Sequence, residues 1–301
     1  MASNEQTICL LALDAADYDL LTRWDCENIL LEDHSAIETY SHTYEHPSTI
    51  EVWTTVATGV GPEEHGAIMG AMEWSNPILK VGAKAAGLLP TKWREVIGQS
   101  AHEWSKAGYP QTDMPHIFEE GLVGWWPGVT PAEHVVDAVK WTAGSATESG
   151  VPQAELWANM KGNAGQSFGF IEGGYDQSVP IVGVHCHMLD TAGHTFCRRE
   201  EQLRRAYEWV DEKIGLLREE VDKLIILSDH GMQVDWVEED DSPGTHSMRS
   251  FISTNFDVSQ HPETVYDVKP WIEGLNRPED RAEDSVVSDT TEEQLRELGY
   301  L

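Results

Sequence analysis

Residues 7–14 read TICLLALD, six apolar side chains in unbroken succession closed by a carboxylate. A strand with one wet face alternates apolar and polar residues. A strand covered by helices on both faces reads as a continuous apolar run, the pattern of a parallel sheet. Lys223 to Leu227 (KLIIL) repeats the pattern and runs into Asp229-His230, and Val179 to His187 reads the same way and ends near Asp190. Shorter strands are expected at Ser35 to Ser41, Gly121 to Trp126 and Met248 to Ser253.

Between these runs the apolar period changes to that of a helix. Helices are expected at Asp17 to Arg23, at Thr49 to Ala57 with Thr58-Gly59 as its stop, and at Pro131 to Thr142. Two more are expected at Glu200 to Glu220, with a Tyr207, Val210, Ile214, Leu217 stripe, and at Val265 to Leu275. Strands alternating with helices give an α/β class, a mostly parallel central sheet between helical layers. Ligands of such sheets bind beyond the carboxyl ends of strands. Asp14, Asp190 and Asp229 each follow a predicted strand and are therefore placed to converge.

A chain of 301 residues can bury one core with a small cap, and residues 1–301 are read as a single domain. The stretch 70–121, rich in Gly, Trp and Pro, reads as a cap insertion over the sheet edge, and 277–301 as a polar, acidic C-terminal segment. No apolar run spans a membrane, and Met1 to Thr7 has no basic leader, so a cytoplasmic protein is expected. The four cysteines show no CxxC spacing, and buried reduced thiols are expected.

Fifty-two acidic residues against 20 Lys and Arg give a net charge of −32, dispersed along the chain. Self-repulsion of that size opposes a compact fold, and molar salt screens it. The composition fits a salt-rich cytoplasm of the haloarchaeal kind. It excludes nucleic-acid polymers as partners, because a phosphate backbone requires a basic face.

Five segments carry candidate chemistry: Asp14; Thr49 in HPSTIEVWTTVATGVGPEEHG (46–66); Asp190 with His194 in DTAGH; Asp229 with His230 in SDHG; and His246 in GTHS. Singly each has an ordinary reading, as a turn former, a helix cap or a loop histidine. Together, three aspartates and three histidines supply six hard or borderline ligands, which suit zinc or manganese better than calcium or copper(I). Two such cations can hold the attacking and leaving oxygens of an in-line displacement. Thr49, at a helix start whose free N–H groups favour an anion, offers a hydroxyl nucleophile, and Ser48 offers another.

His185 and His187 alternate along a strand and share one face, either lining the site or forming an ordinary polar strand end. Trp74, Trp93, Trp104, Trp125 and Trp126 could stack on a substrate, though packing is the commoner use of tryptophan. Lys80, Lys84 and Lys92 are the few cations of the insertion and read as solvated surface.

The motifs and their order resemble the type I phosphodiesterase/nucleotide pyrophosphatase branch of the alkaline phosphatase superfamily. The nucleophile of that branch precedes the Thr of its TG pair by nine residues, which selects Thr49 over Ser48. The resemblance implies an alkaline phosphatase-like three-layer α/β/α sandwich and hydrolysis of phosphoesters through a phospho-threonine. Diesters or nucleotide pyrophosphates are implied before monoesters, on small-molecule substrates. It implies one cation held by Asp190, His194 and His246, and a second held by Asp14, Asp229, His230 and Thr49. Zinc is the first expectation and manganese the alternative, and His65 and Gly66 shape the turn behind the nucleophile helix. One departure is that Gly70 stands where the family places a phosphate-binding Asn, and Asn76 is the first Asn beyond. The other is that the long cap insertions of larger relatives are missing. Of the other readings, sulfatase lacks its CxPxR-like motif here, and a cofactor-independent phosphoglycerate mutase needs a longer chain and a serine. Phosphonate hydrolysis and a non-catalytic relic of the fold remain as alternatives.

The charge generates a first prediction. Raising KCl from dilute buffer to molar concentration, where the Debye length falls to ~3 Å, should raise the melting temperature followed by circular dichroism. A melting temperature indifferent to salt would contradict salt adaptation.

Overall fold

Ile8–Leu13 (β1) lies at the heart of the sheet, fully buried along its length. The computed structural model describes residues 7–68, 110–131, 135, 152–177, 179–275 and 296. Most of the expected cap, most of the Pro131 to Thr142 helix, nearly all of 277–301, and Trp74, Trp93, Trp104, Lys80, Lys84, Lys92, Gly70 and Asn76 lie outside the described residues.

β1 pairs in parallel with Ile181–Cys186 (β4) on one side and Leu224–Leu227 (β5) on the other. Leu122–Gly124 (β3) extends the sheet in parallel beyond β4. Ser250–Thr254 (β8) and Asp33–Ile37 (β2) close the other edge antiparallel, giving the order β2-β8-β5-β1-β4-β3. The short ribbon of Gly231–Met232 (β6) and His246–Ser247 (β7) stands apart from this sheet.

Alternation along β1 sorts the two cores. Cys9, Leu11 and Leu13 face a layer built from Tyr18–Arg23 (α1), Glu27–Leu30 (α2), Gln153–Tyr175 (α5), Met188–Phe196 (α6) and Glu200–Leu217 (α7). Ile8, Leu10 and Ala12 face Thr49–Thr58 (α3) and Val268–Leu275 (α8). Pro62–His65 (α4) follows α3 directly. The result is an α/β/α sandwich with a mostly parallel centre, the expected class.

Helix α3 is buried from Ile50 to Thr58 and ends at Gly59, whose φ of 73° is the left-handed conformation that glycine adopts at least cost. Trp126 donates its indole N–H to the Trp53 carbonyl at 2.9 Å, and Trp125 packs edge-on to Phe170. Both described tryptophans of the candidate set thus pack within the fold. Phe118, at the end of the expected cap, is buried in the α3 core. Three thiols, Cys9, Cys26 and Cys186, are buried and pushed up to about 12 by desolvation, and all four cysteines are free.

Beyond α2, α4, α6 and the β6–β7 ribbon, which the sequence reading did not place, three elements differ from expectation. Helix α5, 23 residues long, has no counterpart in the sequence reading. Its glycines at 162, 165, 169, 173 and 174 are poor helix formers. Tertiary packing outweighs that propensity through a buried face of Trp157, Met160, Ala164, Phe168 and Ile171. The strand expected at Gly121 to Trp126 is cut to three residues, ending before Trp125, whose φ is +53°. The last expected helix divides, with Val265–Asp267 a 3-10 turn closed by a Thr264/Asp267 capping box. Among the described residues no helix is long and apolar enough to cross a membrane.

Phe118 leans on the sheet where Gly183 leaves room, since a Cβ there would fall 2.1 Å from its Cε1. Gly183→Ala should therefore cost about 1–3 kcal/mol in denaturant unfolding at molar KCl. An unfolding midpoint equal to the parent's would show that the ring moves freely aside.

Candidate active site

Three strands deliver the site. Asp14 is the first residue beyond β1, Asp229 the second beyond β5, and Asp190 sits in the first turn of α6 just after β4. All three carboxylates are buried, as is His230 beside Asp229. His194 follows Asp190 by one helical turn on α6, so both face the same way. The β6–β7 ribbon folds back over the strand ends and brings in His246.

Each of the three histidines is held by its far ring nitrogen. His194 Nδ1 donates to the Gly244 carbonyl at 2.9 Å, His230 Nδ1 to Gly231 at 3.0 Å and His246 Nδ1 to Pro47 at 2.8 Å. A carbonyl only accepts, so Nδ1 carries the hydrogen and the neutral ring offers a lone pair at Nε2. All three Nε2 atoms point inward, to the carboxylates.

Asp190 Oδ1, His194 Nε2 and His246 Nε2 form a triangle with sides of 3.3, 3.3 and 3.2 Å. Thr49 Oγ1, Asp14 Oδ1 and His230 Nε2 form a second, with sides of 3.4, 3.4 and 3.3 Å. Asp229 Oδ2 stands 3.2 Å from His230 Nε2. Asp14, Asp190 and His230 also present ligand atoms within 4.8 Å of one another, so the two sets are contiguous.

These residues fit divalent cations. Asp190 Oδ1 and Asp229 Oδ2 are buried and accept no hydrogen bond, although imidazole nitrogens stand within 3.3 Å of them. A buried carboxylate oxygen in that state is costly unless a cation supplies the missing partner. Donor atoms at ~2.0–2.1 Å around a tetrahedral zinc lie about 3.3 Å apart, the spacing of both triangles.

His187 joins the two sets. Its Nδ1 contacts Asp14 Oδ2 and its Nε2 lies 3.0 Å from Asp190 Oδ2, leaving Oδ1 of each carboxylate facing the triangles. His185 donates Nε2–H to the same Asp14 Oδ2 at 3.1 Å. Sequence alternation identified this histidine pair, but the bridge from Asp14 to Asp190 depends on how β4 turns into α6.

The charges follow from this geometry. Burial opposes the His187 imidazolium, but the Asp14 and Asp190 carboxylates outweigh it and raise His187 to about 10. Burial likewise disfavours the Asp14 and Asp190 anions, yet imidazolium neighbours hold both below the usual carboxylate range. Asp229, with no such neighbour, is raised by burial and then by the Asp14 charge. The Asp190 carboxylate raises His194, while burial lowers His230 to about 3.

Thr49 is the first residue of α3, with Ser48 as its N-cap. The first-turn N–H groups have no intrahelical acceptor and leave the positive end of the helix beside Thr49 Oγ1. Behind it, His65 is buried and lowered to about 4 by desolvation. Its Nδ1 accepts the Ala67 N–H at 3.1 Å, so Nε2–H faces Thr55 Oγ1 at 3.3 Å. Gly66 turns the chain there with a φ of 71°.

Residues 8–235 match the family model described as type I phosphodiesterase / nucleotide pyrophosphatase. No curated protein matches the sequence. Among solved structures, alkaline phosphatase from the Antarctic bacterium TAB5 is similar at a TM-score of 0.48 and 11% identity, over 90% of this chain and 97% of that one. Murine ectonucleotide pyrophosphatase / phosphodiesterase 5 is similar at a TM-score of 0.38 and 15% identity, over 76% of this chain and 58% of that one. An inactive variant of the murine protein in complex with AMP is similar at a TM-score of 0.36 and 15% identity, over 76% of this chain and 57% of that one.

His194 and Asp229 both hold protons above their ordinary ranges, and a cation needs both deprotonated. Zinc affinity should therefore rise with pH across the neutral range, with protons released on uptake. Calorimetry in buffers of different ionisation enthalpy reads that release, and an affinity flat with pH would rule out these two residues as ligands.

Proposed function

We propose, from the premise that the chain belongs to the type I phosphodiesterase / nucleotide pyrophosphatase family, that it hydrolyses small phosphoesters at a two-cation centre with Thr49 as nucleophile. The observation that carries this reading is the Thr49 hydroxyl, 3.4 Å from Asp14 Oδ1 and 3.3 Å from His230 Nε2, at the start of a buried helix. Asp190, His194 and His246 would hold one cation; Asp14, Asp229, His230 and Thr49 would hold the other. Zinc suits this mixture of imidazole and carboxylate donors, with manganese as the alternative. Bound there, divalent cations acidify a hydroxyl and neutralise charge developing on phosphoryl oxygens.

The chain's own groups do the rest. Asp14 Oδ1 and His230 Nε2, 3.4 and 3.3 Å from Thr49 Oγ1, fix where that oxygen stands relative to an incoming phosphorus. The free amides at the start of α3 favour the anionic phosphoryl group. The Thr49 hydroxyl loses its proton to solvent and the Oγ1–P bond forms as the bond from phosphorus to the leaving oxygen breaks, that oxygen taking a proton from solvent. Water then cleaves the phospho-threonine, releasing the phosphoryl product and restoring the hydroxyl. Family membership favours diesters and nucleotide pyrophosphates over monoesters. The dispersed charge of −32 favours a small substrate over a nucleic-acid polymer, and a salt-rich cytoplasm as the setting.

Thr49→Ala should lower kcat by about 10⁴-fold or more while zinc content stays at the parent level. A panel of diester, pyrophosphate, monoester and phosphonate substrates at molar KCl measures it, with Ser48→Ala as the companion variant. Full activity in Thr49→Ala, or loss confined to Ser48→Ala, would overturn the assignment.

A further inference from the structure

Asp17 stands outside both triangles, three residues after Asp14, and its side chain is fully buried. Its Oδ1 caps α1 through the Asp19 and Leu20 N–H groups at 3.1 and 3.3 Å. Its Oδ2 reaches the ribbon, accepting from the Met232 N–H at 3.0 Å and from the Ser247 hydroxyl at 2.9 Å. Arg249 Nε spans the carboxylate at 3.0 and 2.8 Å. The same guanidinium grips Asp240 at 2.7 and 2.9 Å and the Met232 carbonyl at 3.0 Å.

The two ribbon partners of Asp17 lie beside candidate ligands. Gly231 and Met232 follow His230, Ser247 follows His246, and Asp17 belongs to the turn that starts at Asp14. The approach is close, since a Cβ on Gly231 would fall 2.2 Å from Asp17 Oδ2 and 2.5 Å from Ser247 Oγ. Tyr207 ties down the start of the turn, its hydroxyl accepting from Asp17 N–H at 2.9 Å and donating to the Ala15 carbonyl at 3.2 Å. One carboxylate therefore fixes three chain segments against each other, each carrying a different ligand.

We infer that Asp17 and Arg249 are positioning residues that set the spacing of Asp14, His230 and His246 at the two-cation centre. This rests on the two-cation reading above. Stability alone explains the pair poorly, because a buried ion pair replaced by well-packed apolar side chains is often neutral or stabilising. What an apolar pair cannot do is direct five donors of fixed geometry from three segments at two oxygens.

The test uses the full chain in molar KCl, with Arg249→Lys, Ser247→Ala and Asp17→Asn beside the parent. Arg204→Met, which breaks only an exposed pair with Glu208, is the control. Lysine keeps a charge at position 249 but cannot bridge Asp17 and Asp240 together. Zinc affinity by chelator competition should weaken about 10–100-fold in Arg249→Lys and Ser247→Ala. Their kcat should fall at constant KM, measured well below each variant's metal-free melting temperature, which falls in Arg249→Lys and stays near the control's in Ser247→Ala. Should Asp17→Asn fail to fold, Ser247→Ala decides, because it removes a single hydroxyl. Parent-level zinc affinity and kcat in both variants, with only the melting temperature lowered, would overturn the positioning role and leave the two-cation reading standing. A parent protein that takes up neither zinc nor manganese overturns both.

Discussion

Three carboxylates buried at the carboxyl ends of adjacent strands are the constraint around which this molecule is arranged. Asp14, Asp190 and Asp229 have left water, and a low-dielectric interior tolerates charge there only if it is compensated. His187, raised by the Asp14 and Asp190 carboxylates, stands between those two, and burial with the Asp14 charge raises Asp229. Two of the carboxylate oxygens still accept no hydrogen bond. The same lack of partners that makes the cluster costly makes it receptive to cations.

The surrounding fold limits how that cluster can relax. Each inward imidazole is anchored through Nδ1 to a backbone carbonyl, so its Nε2 cannot swing towards a different partner without breaking a hydrogen bond. Asp17 and Arg249 tie together the turns that carry three of the candidate ligands. Helix α3, buried on every side beyond its first residue, brings the Thr49 hydroxyl to the cluster. Among the described residues other acids, such as Glu63, Glu64 and Asp176, answer a different demand and lie exposed at the surface. Acid residues thus serve two ends: outside they remain hydrated, and inside they present bare oxygens.

The central strands, the helix that begins at Thr49 and the six candidate ligand types were legible because they rest on local pattern. Six apolar residues in succession mean a strand covered on both faces, and Thr58-Gly59 marks a helix end in any context. Helix α5 was not legible, because its five glycines weaken the local signal and its stability comes from a face packed on the sheet. The bridge made by His187 was half legible, as a histidine pair of unknown purpose. Asp17 and Arg249 gave no signal, since they are 232 positions apart in the chain and meet only through the ribbon.

By itself, then, the sequence determined the α/β class, the strand ends at which chemistry gathers, and the residue types that favour divalent cations and a hydroxyl nucleophile. These follow from periodicity and from side-chain chemistry, which are properties of short segments. Tertiary structure alone decided which nitrogen of each histidine faces inward, which oxygen of each carboxylate is left without a donor, and how close Thr49 stands to them. Those are matters of a few tenths of an ångström between segments remote in the chain. Only the packing of the whole sheet, with its helices and ribbon in place, sets distances of that kind.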